Sequence, residues 1–263
     1  MSTAGPEDHA AFEPLGARAG TPPWRVGATG EDATLVVARL GRADYDETHT
    51  LQETLRERRL QAAVPDALLL LEHPPVYTLG RNADALHLGA AADGPIPVRR
   101  VGRGGQVTYH GPGQLVGYGI IDLRQRGLDV RGYIRGLEEV IIRTAATCGV
   151  QGTRVAGQPG VWVGPRKLAS VGIGLRRWVS VHGFALNVTT ELSRFDAIVP
   201  CGLAGVRMTS LAAEGARVDM DRMIEATERC FVDVLGYRTV RAIEGTAADW
   251  THWLAAAGGP RNE

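Results

Sequence analysis

Cysteine is scarce in this chain: three occur among 263 residues, at positions 148, 201 and 230. That spacing excludes a disulfide ladder and a Cys-x-x-Cys metal pair, and it points to a reducing compartment. Long apolar runs are also missing. No stretch approaches the roughly 18 apolar residues of a membrane span, and the N-terminus has neither the basic leader nor the apolar segment of an export signal. A cytoplasmic protein without a membrane partner is therefore expected. Charge of one sign is not in excess either, since Lys plus Arg and Asp plus Glu number 29 each. This argues against a nucleic-acid-coating surface or an acidic tail. No His-Glu-x-x-His or comparable ligand spacing links the histidines, so no metal is expected.

What is present is an ordinary globular composition, 44% apolar, on a chain long enough to bury one sizeable core. Residues 1–30 are rich in Ala, Gly, Pro and charge without a period and are read as a mobile leader. Residues 31–240 read as a single catalytic domain, and residues 241–263 as an extension containing a short packed helix over 247–256. Thr34 to Leu40 has strand character. Asp44 and Glu47 cap a helix with Leu51 and Leu55 on one face. Ala67 to Leu71 is an almost wholly apolar run that predicts a buried strand, and Val76 to Leu79 follows it across Pro74 and Pro75. Leu115 to Ile121 is a further strand candidate.

Asp129 caps a second helix with Ile134, Leu137, Ile141 and Ala145 at spacings of three and four, closed by Gly149. Three strands are then expected over Val161 to Val163, Lys167 to Leu175 and Trp178 to Val188. Asp219 opens a last long helix carrying Met223, Thr227, Phe231 and Val234, which ends at Gly236. Helix-rich parts thus flank strand-rich parts without regular βαβαβ alternation. The expected class is α+β, with mixed sheets and flanking helices.

Chemistry concentrates in a few places. The segment Arg103-Gly104-Gly105-Gln106-Val107-Thr108-Tyr109-His110-Gly111-Pro112-Gly113-Gln114 combines glycines, which let a backbone approach a ligand closely, with polar side chains. It lacks the phosphate-loop and dinucleotide patterns and reads as a substrate wall. His110 can transfer protons near neutral pH or serve structurally through bonds to backbone, and the same choice applies to His73 and His182. Cys148 and Cys230 fall in helical contexts, where cysteine acts as a small hydrophobe. Cys201, between Pro200 and Gly202, is the candidate nucleophile. Lys167 starts a strand with Ala169, Val171 and Ile173 on the alternation; an ammonium near Cys201 would favour its thiolate. Arg176 and Arg177, between two strands, are candidates to receive an acidic protein.

Four blocks of the chain together resemble the lipoyl(octanoyl) transferase family, the octanoyltransferases of lipoate biosynthesis. They are Leu71 to Arg81, Arg103 to Gln114, Lys167 to Gly172 with His182 to Val188, and Pro200-Cys201-Gly202. The resemblance implies a fold similar to the catalytic domain of lipoate and biotin protein ligases. It also implies octanoyl transfer, through a Cys201 thioester, from octanoyl-acyl-carrier protein to a lysine of a lipoyl domain. The implied acceptors are the lipoyl domains of 2-oxoacid dehydrogenase complexes and the glycine cleavage H protein. By the same resemblance Cys201 matches the acyl-accepting cysteine and Lys167 the lysine that lowers its pKa. Arg103, Gly104, Gly105, Gln106, Val107, Thr108, Tyr109 and His110 match one substrate-binding segment, Ser170, Val171 and Gly172 a second, and Gly183, Phe184 and Ala185 a third. No cofactor is implied, because passage from thioester to amide is downhill. The competing readings are an ATP-dependent lipoate or biotin protein ligase, which has no inherent need for Cys201, a papain-like hydrolase, which needs a paired histidine, and a noncatalytic lipoyl-domain binding module.

Overall fold

The computed structural model describes residues 34–199 and 205–256. The leader over 1–30, and Cys201 with Pro200 and Gly202, lie outside the described residues. The chain begins with β1 (Thr34–Arg42), α1 (Tyr45–Leu60), β2 (Asp66–Glu72) and β3 (Val76–Leu79). After a 3-10 segment at Ala85–Asp93 come β4 (Val98–Arg100), β5 (Val107–His110), β6 (Gln114–Ile120) and α2 (Val130–Ala146). β7 (Thr153–Val155), β8 (Gln158–Val163), β9 (Arg166–Arg176) and β10 (Val179–Asn187) form a meander. A second 3-10 segment at Leu192–Ala197 precedes β11 (Arg207–Met208), α3 (Met220–Leu235), β12 (Thr239–Glu244) and α4 (Ala247–Ala256).

The described strands make a nine-stranded sheet ordered β12-β1-β2-β6-β10-β9-β8-β7, with β11 paired to β9, and a three-stranded sheet β4-β3-β5. β12, β1 and β2 run parallel, the pairings from β2–β6 through β8–β7 are antiparallel, and β11 lies parallel to β9. The class is therefore α+β with mixed sheets, as expected from the lack of regular βαβαβ alternation.

The apolar run in β2 follows from its position. Successive strand side chains point to opposite faces, so Leu68 and Leu70 enter the core under α2 and α3, while Ala67, Leu69 and Leu71 enter the core under α1 and α4. A sheet covered on both faces has no use for polar residues in its central strand. The helix ends also follow local chemistry. Asp44 Oδ1 accepts from the N–H groups of Asp46 (2.8 Å) and Glu47 (3.2 Å) at the start of α1. Asp129 Oδ1 accepts from Gly132 N–H at the start of α2 (2.6 Å). Gly236 closes α3 in the left-handed conformation (φ 67°).

Residues 239–244, in which no strand is read from sequence, form the edge strand β12 against β1. Trp250 and Leu254 of α4 are buried in the same core as Leu51 and Leu55 of α1. Among the described residues no helix is long and apolar enough to cross a membrane.

Candidate active site

A cavity of about 400 Å³ opens where β8 leaves the edge of β9. The β8 register on β9 ends at Ala169, so Ser170, Val171 and Gly172 carry no β8 neighbour and form one wall. The 103–108 loop forms a second wall, His182 to Ala185 of β10 a third, and Val130 and Ile134 of α2 also line the cavity.

Lys167 is 3% exposed and lines this cavity, with Nζ 5.2 Å from the centroid of the Trp162 ring. It stands between Trp162 of β8 and Met208 of β11. The simple alternation expected from sequence does not hold here. β9 has one extra residue against β8 between Lys167 and Ala169, a bulge of the kind found beside active sites. Leu168 and Ala169 therefore both enter the core while Lys167 turns to the cavity. Gly160 makes room for it. A Cβ there would lie 2.8 Å from Lys167 Cε and 2.4 Å from Ala169 O, and Gly160 has φ +127°. Its N–H donates to the buried Glu138 Oε1 at 3.0 Å.

Arg103 is buried. One of its Nη2 hydrogens goes to Thr78 O (2.8 Å) and another to Thr78 Oγ1 (2.7 Å), while Nη1 donates to Gly104 O (3.0 Å). The loop can lie this close to β3 because position 80 is glycine: a Cβ there would be 2.1 Å from Gly105 O. Gly104 N–H donates to Ile173 O at 2.8 Å, fastening the loop to β9.

The inner end is aromatic. Tyr45 and Tyr118 line it with His110 and His182, and His73 packs behind, its ring centroid 5.9 Å from that of His110. His73 Nδ1–H donates to Ala43 O (2.8 Å) and Nε2 accepts from the Tyr118 hydroxyl (2.9 Å). Burial lowers the pKa of His73 to about 4, against the opposing bond to Ala43 O. It lowers that of His110 to about 3, aided by His73 and Arg103. For His182 burial also lowers it to about 3, with Arg103 next in weight. Burial raises the Tyr45 hydroxyl to about 12 and Tyr118 well above the usual range. At neutral pH these histidines and tyrosines are uncharged, and among the described residues the wall also carries Arg103 and Lys167. His182 also sits at φ +60° within β10, with its N–H donated to Gln52 Oε1 of α1 at 2.8 Å. Such a backbone is uncommon for a residue with a side chain and marks a locally imposed geometry.

The residues predicted from sequence mostly converge. Arg103 through Thr108, His110, Lys167, Ser170 to Gly172 and Gly183 to Ala185 all line the cavity. Tyr109 does not. It alternates to the other face of β5, where it packs on Tyr77 and Phe195. Cys201 lies outside the described residues. Arg176, a candidate for receiving a carrier, is ion-paired with Glu57 and sits at the other end of β9, ~30 Å from Lys167 at ~3.3 Å per residue. Sequence reading missed Tyr45, Tyr118, Val130 and Ile134 as wall residues, because each fits an ordinary helical or strand pattern. Among the described residues no group of three or more His, Cys, Asp or Glu side chains converges as a metal site.

The cavity is lined largely by apolar atoms, with the Lys167 amine in its wall. A sequence model described as the lipoyl protein ligase A/B catalytic domain matches residues 44–232. The octanoyltransferase of Geotalea uraniireducens is 51% identical over 191 residues, 72% of this chain and 86% of that one. The octanoyltransferase of Solibacter usitatus is 47% identical over 214 residues, 80% and 97% of the two chains. In fold, a lipoate-protein ligase A solved with bound ATP superimposes with TM-score 0.62 at 16% identity, covering 83% of this chain and 92% of that one. The bi-partite lipoate protein ligase of Thermoplasma acidophilum gives 0.60 at 17% identity, covering 85% and 89%.

Proposed function

The chain belongs to the lipoyl protein ligase A/B catalytic-domain family and, within it, to the octanoyltransferases, and from this we propose that it moves an octanoyl group from octanoyl-acyl-carrier protein to a lysine of a lipoyl domain. Acceptors of this kind are the lipoyl domains of 2-oxoacid dehydrogenase complexes and the glycine cleavage H protein.

In this reading the Cys201 thiolate attacks the thioester carbonyl and the carrier's pantetheine leaves as a thiol, taking the Lys167 proton, so that the acyl group rests on Sγ and Lys167 is left as the neutral amine. The neutral ε-amine of the acceptor lysine then attacks the acyl-enzyme. An amide forms, the Cys201 thiolate is released, and the proton lost by the amine returns to it through Lys167. Before the first step the Lys167 ammonium favours the thiolate.

The observation that carries the proposal is the burial of Lys167 in the wall of a chamber built from the same segments that resemble the family. The described neighbours of Cys201 in sequence support it. Val199 N–H donates to His87 O at 2.8 Å, and the His87 ring contacts Gln106 in the cavity wall. Met208, on the other side, pairs with Lys167 itself.

The test is intact-mass spectrometry. Octanoyl-acyl-carrier protein alone should add one octanoyl group, lost on hydroxylamine treatment and absent from Cys201→Ala, and an unlipoylated lipoyl domain should then discharge it. Octanoate with ATP in place of the carrier should leave the acceptor unmodified. Modification only with ATP would instead identify a ligase.

A further inference from the structure

A hydrogen-bonded chain runs behind the cavity wall and joins its two cationic segments. Its direction is fixed at Gln114. Tyr109 O, a main-chain carbonyl, only accepts, so it accepts from the Gln114 amide nitrogen (3.1 Å), which also donates to Asn187 Oδ1 (2.9 Å). Gln114 Oε1 therefore faces His110 and accepts from Nδ1–H at 2.7 Å. A neutral His110 then has an unprotonated Nε2, which accepts from the Thr78 hydroxyl (3.4 Å), while Thr78 Oγ1 accepts from Arg103 Nη2 (2.7 Å).

Asn187 Nδ2 in turn donates to Thr209 O (2.9 Å), and Thr209 N–H donates to Lys167 O (2.9 Å). Gln114 and Asn187 are each 1% exposed, so water cannot replace these bonds, and every donor in the series points from Arg103 toward Lys167. Chains oriented in one sense polarise one another, and an interior site makes a reversed member costly.

We infer that Gln114 and Asn187 are positioning residues, a pair of amides that fixes His110 as the neutral Nδ1–H tautomer and holds the Arg103 loop and the Lys167 strand in register across the acyl cavity. The step from register to acyl transfer rests on the function proposed above; the tautomer does not. The basic Nε2 of His110 is thereby turned to Thr78, which does not line the cavity, so the ring is not placed to take a proton from substrate directly. The groups facing it agree with neutrality: Tyr45 is stacked 6.3 Å away, His73 stands edge-on at 5.9 Å, and Arg103 and His182 act on it electrostatically.

Imidazole ¹⁵N NMR on the full chain tests the first half. His110 should show the neutral Nδ1–H pattern from about pH 5 to pH 8. An Nε2–H tautomer or an imidazolium in that range would overturn the inference whatever the activity. Gln114→Glu tests the link to catalysis, because a carboxylate accepts toward His110 but cannot donate to Asn187 or Tyr109 O. His110 should then titrate within that window, kcat for octanoyl transfer should fall on the order of tenfold or more with little change in KM, and the pH–rate profile should gain an ionisation. Asn187→Asp keeps the acceptor for Gln114 and removes the donor to Thr209 O. It should lower kcat comparably while His110 keeps its tautomer, and it decides the question if Gln114→Glu does not fold. Folded variants with wild-type kcat and pH profile, or losses explained by a smaller folded fraction alone, would reject a positioning role.

Discussion

Gly160→Ala isolates the packing that places Lys167. The new methyl group would stand 2.4 Å from Ala169 O and 2.8 Å from Lys167 Cε, on a backbone at φ +127°. Ala169 O belongs to a central strand and cannot retreat far, so the yielding partner is the lysine side chain or β8 itself. Backbone strain of this kind costs ~1–3 kcal/mol, and forcing a methyl group into a filled interior costs a further ~1–3 kcal/mol. The smaller conformational freedom of alanine in the unfolded chain offsets ~0.4–1 kcal/mol. A net loss of ~1–5 kcal/mol follows, which at ~2–4 °C per kcal/mol is a Tm decrease of roughly 2–20 °C.

Gly164→Ala is the matched control. It too has positive φ (+55°), but its Cβ would meet nothing within 4 Å, so only the left-handed penalty of ~1–2 kcal/mol applies. Thermal unfolding of both variants gives the difference due to the clash. Iodoacetamide alkylation of Cys201 and octanoyl transfer give its effect on Lys167, and both rates should fall toward those of Lys167→Ala in the Gly160 variant alone. Equal Tm losses, with transfer retained in both proteins, would show that Gly160 does not govern the lysine.

Lys167→Ala should slow alkylation of Cys201 at neutral pH and the transfer of octanoate from preformed acyl-enzyme, whereas Lys167→Arg should restore part of the alkylation rate but not the transfer, because guanidinium does not exchange its proton. His73, His110 and His182 have pKa values lowered to about 4, 3 and 3, so the unfolded chain, with imidazoles near ~6.5, binds more protons than the folded one at mildly acid pH. The stability they protect is fully present above about pH 6.5 and is lost as pH falls toward about 3, with a limiting slope of roughly 4 kcal/mol per pH unit. Chemical denaturation from pH 7 to pH 5 should show this, and His182→Asn, whose side chain tolerates the left-handed backbone, should remove about a third of the slope. Asp66 accepts from Arg59 Nε (2.8 Å), the Tyr237 hydroxyl (2.8 Å) and Asp122 N–H (3.0 Å) in the interior. Arg59→Met leaves that carboxylate without its cation and should cost ~3–5 kcal/mol by urea unfolding, with little effect on the transfer rate of the folded fraction.

The parts of the fold that were legible from sequence are those whose cause is local. Asp44, Asp129 and Asp219 cap the helices they precede, because a short side-chain oxygen beside free N–H groups acts the same way in any context. The run from Ala67 to Leu71 was legible as buried because a strand covered on both faces must be apolar throughout. β12 was not. Its partner β1 lies some two hundred positions away in the chain, and a short strand at a sheet edge keeps polar residues such as Arg241 that blur its period. The bulge opposite Val161 and Trp162 was hidden for a related reason: an extra residue in one strand is defined only by the strand beside it.

The site was legible where composition alone constrained it and illegible where geometry chose between chemistries. A glycine-rich stretch beside an arginine indicates close approach to a ligand, and the 103–108 loop does lie against the cavity. Within the same stretch Tyr109 and His110 are equally polar on paper, and strand alternation sends one into the small sheet's core and the other to the cavity. His110 shows the limit more sharply. Beside Tyr109 and Gly111 it fits a general base as well as a structural residue, and its neighbours in sequence contain nothing that decides. The decision is made by Thr78 from β3 and Gln114 from β6, which occupy its two ring nitrogens. With Nδ1–H given to Gln114 and Nε2 turned to Thr78, which does not line the cavity, His110 presents no ring nitrogen to a substrate proton, and the choice between its two readings falls to the structural one.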